Sequence, residues 1–83
     1  MKYHVHAVTL DTYNSQNIER DEVFDTYNDA LDYYRDTFKN QSELIADYGG
    51  QHVIMLYSKG DNHLSVLKRQ TIQTTTNNIV NND

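Results

Sequence analysis

The chain has 83 residues, with 7 Lys and Arg against 12 Asp and Glu, a net charge of −5 with His neutral. It holds no Cys, which excludes a disulfide framework, a thiolate zinc site and a cysteine nucleophile. The length fits one small domain, no run nears the ~18 apolar residues of a membrane span, and MKYHVHAVTL lacks an apolar signal-peptide core, so a cytoplasmic protein is expected.

Residues 2–10 (KYHVHAVTL) predict a strand, because Val and Thr favour the pleated chain. Alternation puts Tyr3, Val5, Ala7 and Thr9 on one face and His4, His6, Val8 and Leu10 on the other. Asp11 to Asp21 is polar and rich in Asp, Asn and Ser, which favours a loop, with a short strand around Glu22–Asp25. Tyr27, Leu31, Tyr34, Phe38, Ile45 and Tyr48 then follow a 3–4 spacing interrupted only at Gln41, predicting one helix over 27–48. Thr26 or Asn28 is the N-cap candidate, and Gly49-Gly50 is the stop. The polar interval Lys39-Asn40-Gln41-Ser42 is where that helix could divide. His52–Ser58 and His63–Thr71 read as a hairpin around Gly60-Asp61, pairing Ser58 with His63 and Met55 with Val66. On that register Val53, Met55, Tyr57, Leu64 and Val66 face the helix. The expected fold is α+β: three to four antiparallel strands in the order β-(β)-α-β-β, one long helix on one face, in a single domain over 1–72. The Thr- and Asn-rich stretch 73–83 is expected to be a disordered or loosely docked tail. The expected core is Val5, Ala7, Phe24, Leu31, Tyr34, Phe38, Ile45, Val53, Met55, Leu64 and Val66, with Tyr27 and Tyr48 at its ends.

Motifs for catalysis are weak. Ser15, Ser42, Ser58 and Ser65 lack a Gly-x-Ser-x-Gly turn, and Gly49, Gly50 and Gly60 cannot make a phosphate loop. No catalytic residue, cofactor or metal is assigned, and an enzyme is not expected. His4 with His6, and Asp61 with His63, have the spacing of ligand pairs, but zinc needs three or four converging groups. Direct nucleic-acid binding is disfavoured by the negative charge.

The charge is unevenly spread. Residues 19–47 hold nine carboxylates against Arg20, Arg35 and Lys39. On a helix, Asp25, Asp29, Asp32, Asp36, Glu43 and Asp47 fall at spacings of 4, 3, 4, 7 and 4, one ridge away from the apolar stripe. Neighbours on it stand ~5–6 Å apart, which approaches the phosphate spacing of a nucleic-acid strand. Tyr33 flanks the ridge and is a candidate for stacking on an Arg. The ridge predicts a non-enzymatic inhibitor that blocks a basic, nucleic-acid-handling protein. In size and charge the chain is similar to the small acidic, Cys-free proteins that phages and mobile elements make against host restriction or CRISPR nucleases, a likeness of class that rests on no shared motif. The alternative is a structural or regulatory homodimer whose acidic face serves solubility alone. For that reading, Ile54, Leu56 and Leu67 are the candidate dimer face, because the assumed register turns them from the helix, to be covered by a second chain or by the tail.

Overall fold

The computed structural model describes residues 1–11, 16–75 and 78–82. Its elements are β1 (Lys2–Asp11), β2 (Gln16–Phe24), α1 (Tyr27–Tyr48), β3 (Gly50–Lys59), β4 (Leu64–Thr75) and β5 (Asn78–Asn82). Strands β2-β1-β3-β4 form an antiparallel sheet with the helix packed on one face, and β5 pairs with the outer side of β4. The fold is α+β, in the expected β-β-α-β-β order. Because β1 lies between β2 and β3, the helix carries the chain over β1 in a split βαβ unit.

The helix is continuous for 22 residues. The Thr26 hydroxyl accepts the Asp29 backbone N–H at 3.2 Å, which satisfies one orphan donor of the first turn. The helix runs unbroken through the polar interval even though the Ser42 hydroxyl donates back to the Phe38 carbonyl, a bond that competes with the backbone ladder. Gly49, at φ 83°, ends the helix and donates its N–H to the Ile45 carbonyl at 2.8 Å. Gly50 is required for a different reason. Its φ is 132°, and a Cβ there would stand 2.0 Å from the Leu10 carbonyl oxygen.

Strand β2 begins at Gln16, where a loop was expected, and pairs with β1 as far as Phe24 opposite Tyr3. Its Glu19-Arg20-Asp21-Glu22 run is poor in β propensity. An edge strand tolerates such charges, and they discourage pairing with further chains. The stretch 12–15 of the expected loop lies outside the described residues. At the other end β4 runs to Thr75, so the boundary expected after residue 72 falls inside a strand.

The core joins β1, β3 and α1: Val5, Ala7, Ala30, Tyr34, Ile54 and Leu56 are buried together, with Phe24, Leu31 and Phe38 packed against them. Two expectations are corrected here. The helix-facing side of β3 is His52, Ile54, Leu56 and Ser58, not Val53, Met55 and Tyr57. Leu64 and Val66, also expected in the core, are 56% and 53% exposed. The reason is which face of β3 turns inward: Val5 and Ala7 pair with Leu56 and Ile54, so Val53, Met55 and Tyr57, with Val66 opposite Tyr57 and Leu64 opposite Lys59, lie on the side away from the helix. The register differs as well. The hairpin closes with Lys59 opposite Leu64, and Gly60 donates its N–H to the His63 carbonyl, giving a longer turn than Gly60-Asp61 alone. A bulge then falls between Leu56 and Tyr57, with Leu67 as the extra residue, so Met55 pairs with Arg69 rather than Val66.

Candidate functional site

The acidic ridge stands on the solvent side of α1. Asp29, Asp32, Asp36, Glu43 and Asp47 are all exposed, while Ala30, Tyr34, Thr37 and Ile45 occupy the buried side. From Asp29 to Asp47 the ridge runs about 27 Å along the axis at 1.5 Å per residue. Among the described residues the ion pairs are Lys2–Asp25 and His6–Glu19, and neither neutralises a helix carboxylate of the ridge. Arg35 and Lys39 lie at 3–4 spacing from Asp32, Asp36 and Glu43, within helical reach of them, yet no pair forms. The ridge therefore presents five unpaired negative charges along one line.

Two predicted contact residues are placed differently. Asp25 precedes the helix and is tied to Lys2, whose ammonium holds its carboxyl below the usual range by hydrogen bonding and charge. Tyr33, at the ridge's flank, is half-buried, with its ring 5.3 Å from that of Phe24.

The candidate dimer face is overturned for two of its three members. Ile54 and Leu56 are fully buried beneath α1, where no second chain can reach them, while Leu67 is 46% exposed at the bulge. The apolar surface that no helix covers is the opposite face of the sheet. There β1 and β3 place Val8 opposite Val53, His6 opposite Met55 and His4 opposite Tyr57. The His4 and Tyr57 rings stack at 4.8 Å with 7° between their planes. His6 Nε2 reaches Glu19 at 3.5 Å. Burial, then the Asp21 charge, raises the Tyr57 phenol above its ordinary pKa. A hollow of about 190 Å³ lies among Val8, Leu10, Asn17, Gln51 and Val53. Exposed Val23 and Val66 extend the surface toward both edges. The signal in the sequence was the even alternation of β1, which sets Val8 and Leu10 apart from Val5 and Ala7. The partner face on β3 follows once Ala7 is paired with Ile54.

One polar pair is buried within the core. Thr9 Oγ1 and His52 Nδ1 are 2.9 Å apart across β1 and β3, and His52 Nε2 has no hydrogen-bond partner. Burial pushes the imidazole pKa down to about 4, so the ring is neutral. Phe38 packs over it at 6.2 Å between ring centres. This is a packing role. The two ligand-spaced pairs do not converge: His4 and His6 are engaged as above, and His63 bonds Ser65 Oγ at 2.9 Å. Among the described residues no group of three or more His, Asp or Glu is gathered to hold a metal. Nor is any described helix long and apolar enough to cross a membrane.

Comparison with family models, curated proteins and solved structures finds no match to this chain.

Proposed function

We propose that this chain is a non-enzymatic binding protein of the cytoplasm that occupies the cationic nucleic-acid channel of another protein with the acidic ridge of α1. The supporting observation is the line of five exposed, unpaired carboxylates opposite the buried side of one continuous helix. Like charges three or four apart repel and cost helix stability, so this spacing runs against the helix's own interest. A rigid helix also presents its charges without the ordering entropy that a flexible acidic tail would lose on binding. In an anti-defence setting the target is a restriction or CRISPR-type nuclease. The ridge follows a cationic channel by charge alone, and long-range attraction speeds the encounter.

The test is the triple variant Asp29→Asn, Asp32→Asn, Asp36→Asn. It keeps size and most hydrogen-bonding capacity while removing the central charges. Its stability in urea is expected to stay level or rise by a few tenths of a kcal/mol as repulsion is relieved. Retention of basic nucleic-acid-handling proteins from the cells that make the chain is expected to fall sharply, at low and at physiological salt. Undiminished retention would remove the ridge as the binding surface.

A further inference from the structure

We infer that the open face of the sheet is the contact between two copies of this chain, related by a two-fold axis running along the strands. Val8, Val53, Met55 and Tyr57 form its centre on the two inner strands, and no described element packs over them. An uncovered apolar surface of this kind on a small protein marks an interface. Four strands ~4.8 Å apart and ~30 Å long span on the order of 600 Å² in projection, close to the ~800 Å² per partner of a standard interface.

The charges select the partner and its orientation. At one level across the sheet stand Asp21 on β2, His6 on β1, Met55 on β3 and Arg69 on β4. The open face is thus acidic on the β2 side and basic on the β4 side, where the described pairing with β5 runs from Thr71 to Thr75 and does not include Arg69, and both Asp21 and Arg69 are exposed. A two-fold along the strands lays β2 of one copy over β4 of the other. Asp21 then meets the second copy's Arg69, Arg69 meets its Asp21, and Val8 meets its Val53. The alternative in-plane axis, across the strands, lays β2 over β2 and sets carboxylate against carboxylate. Isologous contact is therefore charge-complementary in one arrangement only. The same axis brings Lys2 at the end of β1 toward the second copy's Lys59 at the end of β3, and the charge of Lys2 is there answered by its ion pair with Asp25. The contact is independent of the ridge, since α1 covers the other face and points its carboxylates away.

Sedimentation of the full chain at about 100 µM is expected to give a dimer. Met55→Glu should be monomeric with an unchanged circular dichroism spectrum. Asp21→Arg and Arg69→Asp should each loosen the dimer about tenfold or more, and the two together should restore it. These charge swaps sit on the surface, so they decide the matter even if Met55→Glu does not fold. A monomeric wild type would overturn the proposal, as would a dimer indifferent to all three changes. A double swap that stays as weak as the single ones would overturn it too.

Discussion

His52 is fully buried, and its imidazole pKa is lowered by that burial. Folding holds its ring neutral, with a pKa near 4 against 6.5 when exposed, so the unfolded chain binds more protons between those values. Stability therefore rises with pH through that window and is lost as pH falls from about 6.5 toward 4, by ~1–3 kcal/mol. Asp25 acts later: its lowered pKa contributes above its ordinary 3.8 and is lost only on further acidification. Urea midpoints measured across the window should slope in wild type and flatten in His52→Leu. An equal slope in both would assign the effect elsewhere. Gly50 makes the second prediction at this scale. Gly50→Ala must move a Cβ off the Leu10 carbonyl and hold Ala at φ 132°, so a loss of at least ~1–3 kcal/mol in unfolding free energy is expected.

Strand β3 is the element on which the fold depends, because its two faces do different work. Leu56→Ala opens a cavity under α1 and should cost about 2–5 kcal/mol, whereas Met55→Ala on the open face should cost ~1 kcal/mol or less in dilute protein. Equal losses in urea titration would put the wrong face inward. This is also where the sequence was least legible. Val53-Ile54-Met55-Leu56-Tyr57 is apolar on both faces, so period-2 alternation cannot choose between them. The polar ends His52 and Ser58 argued for the wrong side, because neither reveals in advance that it is buried, His52 against Thr9. The bulge at Leu67 is a long-range adjustment that no turn residue encodes. The helix was legible to its ends because caps and 3–4 spacing are local. The β1 faces were legible because Val5 and Ala7 alternate with two histidines. Strand β2 was hidden by its charges, which an edge position permits. The ridge was legible as a pattern, since helical spacing alone fixes which carboxylates align. Tyr33's position was not, since packing on Phe24 depends on where β2 ends.

At the scale of the molecule the two surfaces lie back to back. One helix on one sheet face leaves an acidic line facing outward and an apolar face exposed behind it. Joined through the sheet, two copies would carry their ridges on opposite sides, so each binds without obstructing the other. The salt response separates the two contacts. Attraction by the ridge is screened within ~10 Å at 0.1 M salt, while apolar burial at the sheet is not. The most direct test of the ridge reading is competition by nucleic acid. Immobilised wild-type chain is loaded with lysate of the cells that make it, then washed with a short DNA duplex at constant ionic strength. If the helix occupies a nucleic-acid channel, the retained proteins are basic and the duplex releases them in proportion to its concentration. Retention that ignores the duplex would contradict the account.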